Sequence, residues 1–162
     1  MKKPPANTTR AKGGRGLRVL VLQSRFNESV VGGLAAGAVE YLREVDARFE
    51  VEPVPGAFEL PLVAQAAAST GRYDAVVALG AVIRGETDHY DHICREAARG
   101  LLDASMNTGI PVAFGVLTVQ KESHALARSK PGPHNKGREA ASAAVETALL
   151  LKKLSPPTRK RS

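Results

Sequence analysis

The sequence predicts an α/β protein, a three-layer α/β/α sandwich around a four-stranded parallel sheet. Three observations lead there. Four short, apolar, β-branched runs alternate with longer stretches of helical spacing, which is the pattern of successive βαβ units. The 162 residues suit one domain with a sizeable core and leave no room for a second. That core must come from Val, Leu, Ile and Ala, because aromatic residues make up only 4% of the chain and Trp is absent.

The elements follow in order. Leu17–Gln23 is a near-continuous apolar run, as expected of a strand buried on both faces. Apolar residues at helical spacing from about Glu28 to Val45 predict the first helix. Phe49–Val54 is the second strand, broken by Pro55-Gly56, and the Ala-rich Phe58–Thr70 is the second helix, stopping at Gly71. Tyr73–Ile83 is the third strand. A helix then runs from His89 to about Met106 and closes at Asn107-Thr108-Gly109. Ile110–Thr118 is the fourth strand. A short helix near Glu122–Arg128, the turn Ser129–Asn135, and a helix from Lys136 to Leu154 complete a single domain over residues 17–154.

Charge is unevenly placed. Residues 1–18 hold six of the 23 Lys and Arg and residues 152–162 hold five, with no acid in either stretch. Twelve cations then face sixteen acids in residues 19–151, a net charge of −4 against +7 for the whole chain. The body is mildly acidic, and the basicity belongs to tails over 1–16 and 155–162. Such tails bind polyanions weakly at most, so composition does not predict a nucleic-acid-binding protein. No apolar run approaches a bilayer span, and the basic N-terminus lacks the apolar segment of a secretory signal. Cys94, the only cysteine, excludes an internal disulfide and fits a reducing cytoplasm.

In parallel sheets, ligands bind beyond the carboxyl ends of the strands. The unusual residues of this sequence gather there, in SRFN after the first strand, PGAFE after the second, GAVIRGETDH after the third and FGVLT around the fourth. The segment TDHYDH, Thr87–His92, raises a metal reading, since His89 and His92 are three apart on one helix face. It lacks a Cys partner, an H-E-x-x-H pattern and a further ligand. For Asp88, Asp91 and His92 a helix start accounts for the residues, with Thr87 or Asp88 as N-cap and an acid in the first turn. His89 also stands beyond a buried strand, beside free N–H groups at Gly85–Thr87. Those groups and the helix dipole suit an anion, and a histidine there can shuttle protons on a phosphorylated substrate. Arg84 reads as a structural ion-pair residue in preference to a phosphate partner.

SRFN, VPGAFELP, ALGAVIRGETDHYDHICREAARGL, TGIPVAFGVLT and NKGREAA, in this order and spacing, resemble lumazine synthase (6,7-dimethyl-8-ribityllumazine synthase) over roughly Leu17–Leu151. The resemblance implies a flavodoxin-like subunit assembling into pentamers, and in some members into hollow icosahedral shells of twelve pentamers. It implies the penultimate step of riboflavin synthesis. There 5-amino-6-(D-ribitylamino)uracil condenses with 3,4-dihydroxy-2-butanone 4-phosphate, releasing phosphate and water, without metal or organic cofactor. By the same resemblance Phe26 stacks on the pyrimidine, and Ala57, Phe58 and Glu59 hold the ribityl chain. The backbone of Ala81, Val82 and Ile83 reads the uracil edge, and Phe114 arrives from a neighbouring subunit. Glu86, Thr87 and Arg128 take the butanone phosphate, His89 moves protons, and Lys136 has a supporting place.

Three departures from the family pattern stand out. The segment between Phe26 and VPGAFE is shorter than usual. The turn SKPGPHNKG carries two prolines. The N-terminal residues have little β-propensity, which weakens strand exchange with a neighbouring subunit. Two other readings share the scaffold, a non-catalytic flavin or lumazine binder and a shell-forming protein whose tails hold acidic cargo. A flavodoxin-type electron carrier is disfavoured, because no strand end has a Ser/Thr-rich phosphate loop.

Overall fold

The structure, a computed structural model, describes residues 13–156. Residues 1–12 and 157–162, which hold most of both basic tails, lie outside the described residues. Nine elements follow one another: β1 (Arg18–Ser24), α1 (Glu28–Glu44), β2 (Arg48–Val54), α2 (Leu60–Ala68), β3 (Ala75–Ile83), α3 (His89–Thr108), β4 (Val112–Val119), α4 (Glu122–Ser129) and α5 (Lys136–Leu154). All strand pairs are parallel, in the order β2-β1-β3-β4. This is the predicted four-stranded sheet in the flavodoxin-like order, with its switch point between β1 and β3.

Alternation along the strands makes two cores. Val19 and Val21 of β1 and Val77 and Leu79 of β3 face α1 and α5, with Val30, Leu34, Ala141 and Val145. Leu20 and Leu22 of β1 and Val76 and Ala78 of β3 face α2 and α3, with Leu60, Ala64, Leu101 and Ala104. The central strands are buried on both sides, as their continuous apolar runs require. Edge strand β2 is largely exposed, and its sequence alternates apolar and acidic residues accordingly.

Two boundaries differ from expectation. The second helix begins at Leu60, so Phe58 and Glu59 lie in the preceding turn. Pro61 explains this, because a residue without an N–H is tolerated in a helix's first turn and nowhere later. That helix also ends at Ala68, two residues short of the expected Thr70.

The α1–α5 junction accounts for the NKG motif. A Cβ at residue 137 would collide with the Leu34 carbonyl oxygen of α1, so only glycine allows this approach. Asn135, 2% exposed, caps α5 by accepting from the Arg138 N–H at 3.0 Å. Its amide nitrogen donates toward the carbonyls of Gly33, Ser129 and Lys130. Arg138 forms a two-pronged pair with Glu44 of α1, at 3.0 and 2.6 Å.

Candidate functional site

The crevice lies where the chain leaves β1 for one layer and β3 for the other. The last register pair of these strands is Gln23 with Leu79, yet β3 continues to Ile83 alongside β4. Gly80–Ile83 therefore has one backbone edge without a strand partner. Asn27 caps part of it, its side-chain amide donating to the Ala81 carbonyl at 3.0 Å. Asn27 sits at φ 56°, in the left-handed region that asparagine tolerates, and this turns SRFN from β1 into α1. Because peptide groups alternate sides along a strand, the N–H and C=O of Ile83 face the same way as those of Ala81.

Phe26, the residue before Asn27, is 70% exposed although it follows a buried strand by two residues. A Cβ at position 56 would lie 3.2 Å from the Phe26 ring and 3.0 Å from a Glu59 carboxylate oxygen. Gly56 thus lets an aromatic face and a carboxylate stand close together over the backbone turn. The Arg25 N–H donates to the Val54 carbonyl at 2.9 Å and fixes the SRFN and PGAFE segments to each other. Phe26 and Glu59 therefore flank one turn, and Asn27 ties that turn to the Ala81 edge of β3. Phe58 is exposed in the same turn, and Ala57 packs on the α2/α3 core.

Glu86, Thr87 and His89 follow at the mouth, all exposed. Asp88 is the N-cap of α3 but makes no side-chain cap bond, while the Thr87 hydroxyl accepts from the His89 N–H at 3.4 Å. The α3 N-terminus therefore presents polar hydrogen toward solvent next to His89. The rest of TDHYDH anchors the helix. Arg84 pairs with Asp91 at 3.6 Å and lies 5.4 Å above the Tyr90 ring. Cys94 and Thr118 lie beside the Tyr90 hydroxyl. Burial raises the pKa of both Tyr90 and Cys94, so both stay neutral at physiological pH. Among the described residues no three His, Cys, Asp or Glu side chains gather closely enough to hold a metal.

Three expected residues stand elsewhere in the same chain. Phe114 is exposed on edge strand β4, in register with Ala78. It lies three residues, about 10 Å, short of the level of Ala81. Arg128 is in the last turn of α4, which packs on the α1 side of the sheet, whereas His89 opens α3 on the other side. Its guanidinium donates to the His124 carbonyl of its own helix at 3.0 Å. Lys136, at the start of α5, pairs with Glu139 at 2.7 Å.

The residue that sequence reasoning missed is Asn27. The quoted SRFN contained it, and an Asn between a strand and a helix signals a left-handed turn. Ser24 is a second such residue. Its hydroxyl is buried at the end of β1 without a hydrogen-bond partner among the described residues. A family model described as 6,7-dimethyl-8-ribityllumazine synthase matches residues 16–152 of the chain.

Proposed function

Because the chain belongs to the 6,7-dimethyl-8-ribityllumazine synthase family, we propose that it condenses 5-amino-6-(D-ribitylamino)uracil with 3,4-dihydroxy-2-butanone 4-phosphate in the penultimate step of riboflavin synthesis. The observation that carries this reading is the unpaired edge of β3, tied by Asn27 to the turn that holds Phe26. A flat heterocycle with donors and acceptors on its rim is matched by an aromatic face above and backbone N–H and C=O groups at its side. Glu59 accepts hydrogen bonds from ribityl hydroxyls beside Ala57 and Phe58.

The phosphate of the second substrate sits at the Glu86–Thr87 turn, on backbone N–H groups and the Thr87 hydroxyl. Helix dipole and donors favour an anion there. The uracil 5-amino group attacks the ketone carbon and water leaves to give an imine. Elimination of phosphate, ring closure and loss of water complete the pyrazine ring. His89, beside the phosphate site, moves protons in these steps. No residue is assigned to a metal or organic cofactor.

Arg128 and Phe114 complete the site from a neighbouring copy, since each lies away from the crevice of its own chain. Arg128 pairs with phosphate oxygens through its planar fork, and Phe114 closes the heterocycle pocket. Lys136 supports from α5. The exposed Leu62, Leu102 and Met106 on α2 and α3 favour self-association, and the pentamer is the unit we assign. No described helix is long and apolar enough to cross a membrane, and we place the enzyme in the cytoplasm.

The test follows lumazine absorbance and fluorescence with both substrates present. The protein should accelerate chromophore growth over the spontaneous reaction. His89→Ala should slow it by about 10²-fold without abolishing it, because proximity of the two substrates survives the substitution. Tight chromophore binding without acceleration would overturn the synthase reading in favour of a binder.

A further inference from the structure

The pole opposite the crevice, at the amino ends of the strands, concentrates positive charge that neither the fold nor the proposed reaction uses. Arg18 opens β1 and Arg48 opens β2, and they are register partners on neighbouring strands. Their side chains therefore leave the sheet on the same face, about 4.8 Å apart at the backbone. Both are exposed, and among the described residues neither guanidinium pairs with a carboxylate.

The acids nearby are already partnered. Arg15 holds Asp46 at 3.5 Å. The Tyr73 hydroxyl and Arg72 hold Glu50, at 2.5 and 3.7 Å. Asp74 takes the Arg18 backbone N–H at 2.8 Å and faces Lys152 at 3.6 Å. Glu52 lies farther along β2, toward its carboxyl end.

Two cavities meet at this pair of arginines. One, of about 210 Å³, is lined by Arg18, Arg48, Glu50, Arg72 and Tyr73, and the other, of about 530 Å³, by Arg15, Arg18, Asp46 and Arg48. Both cavities are lined by Arg18 and Arg48, so the two arginines are open to solvent from two adjoining hollows, which suits a chain of anions better than one small anion. The Arg72 guanidinium lies 5.3 Å above the Tyr73 ring, a flat aromatic–cation platform on which a base can stack. The described chain also begins and ends at this pole. The Gly14 N–H bonds the Val45 carbonyl at 3.0 Å, and the last turn of α5 brings Lys152 to Asp74. Lys2, Lys3, Arg10 and Lys12 precede the described residues, and Arg159, Lys160 and Arg161 follow them, with no acid in either segment.

We propose that this pole is a docking surface for single-stranded nucleic acid, held through its phosphates by Arg18 and Arg48 and without reading sequence. The sequence alone assigned the basicity to the tails. The fold sets Arg48 of the mildly acidic body beside Arg18 at the end of the sheet where the described residues begin.

The test is fluorescence anisotropy of a labelled, mixed-sequence RNA 30-mer titrated with the full chain over a range of salt concentrations. Binding should weaken linearly on a log–log plot against salt. Arg18→Gln/Arg48→Gln should weaken it about tenfold at fixed salt and flatten the salt slope by about 1.4, the loss of two phosphate contacts on a single strand. Arg18→Lys/Arg48→Lys should keep most of the affinity. If the Gln pair loses its native circular dichroism spectrum, Arg48→Gln alone should flatten the slope by about 0.7. No binding by the full chain at low salt would overturn the proposal. So would unchanged affinity in the Gln variants, with binding lost only on neutralising Lys2, Lys3, Arg10 and Lys12. Tighter binding to phosphatidylserine vesicles than to RNA would overturn it as well.

Discussion

The two helical layers of this molecule use similar residues to different ends. On one side, α1 and α5 approach through Gly37 and Gly137, a buried Asn135 caps α5 and shares its two amide hydrogens among three backbone carbonyls, and Arg138 grips Glu44. On the other, α2 and α3 bury only three residues each, Leu60, Ala64 and Ala68 against Ala97, Leu101 and Ala104. They leave Leu62 and Met106 at 77% exposure and Leu102 at 62%. The first layer is closed by its buried Asn135 and its Arg138–Glu44 pair, though Leu126 of α4 and Leu150, Leu151 and Leu154 of α5 are exposed on it as well; the second buries fewer residues of each helix and has exposed apolar residues on both. The α2/α3 layer is in that sense the unfinished one.

The largest effect should come from breaking the closed layer. Gly137→Val forces α1 and α5 apart against the Leu34 carbonyl, and urea unfolding should show a loss of about 3 kcal/mol or more. Asn135→Ala strands the carbonyls that its amide now satisfies, and should cost about 2–4 kcal/mol in the same assay. A stability unchanged by either would remove the distinction between the layers. The unfinished layer should behave in the opposite way. Leu102→Asp/Met106→Asp should leave the far-ultraviolet circular dichroism of the chain intact while sedimentation shifts to monomers, with synthase activity falling in parallel.

The smallest effect concerns pH. The hydrogen bond from Arg138 lowers the Glu44 pKa below its ordinary 4.5. A depressed carboxylate pKa means stability that is present above the unfolded value and lost as pH falls through the folded one. Both groups are partly solvated, so the pair contributes about 1 kcal/mol or less. Near neutrality the parent chain should therefore be more stable than Glu44→Gln by about 1 kcal/mol or less, and the difference should vanish as pH falls below about 4.5.

Much of this fold was legible because the patterns that encode it are local. Buried strands read as continuous apolar runs, and α5 was bounded at its start by the Pro- and Gly-containing turn Ser129–Asn135. The start of α2 was misplaced because Phe58 and Glu59 have adequate helix propensity, whereas Pro61 sets the boundary through its missing N–H. The crevice was legible in its residue types but not in its grouping. Sequence spacing could not reveal that β3 outruns β1, which is a matter of register between distant segments. Nor could it place Arg128 on the layer opposite His89, since both follow strand ends and only the crossover direction separates them. The NKG motif, carried as functional through Lys136, owes its geometry mainly to Asn135 and Gly137.

The central claim is that a working site needs two copies of the chain. The direct measurement is the rate of lumazine formation after His89→Ala and Arg128→Ala proteins are dissociated, mixed in equal amounts and reassembled. If His89 and Arg128 of one site come from different copies, about a quarter of the sites in a random ring regain both residues, and the mixture becomes much faster than either variant alone. A mixed rate no higher than the average of the two separate variants would mean that each site is built within one chain, contradicting the account.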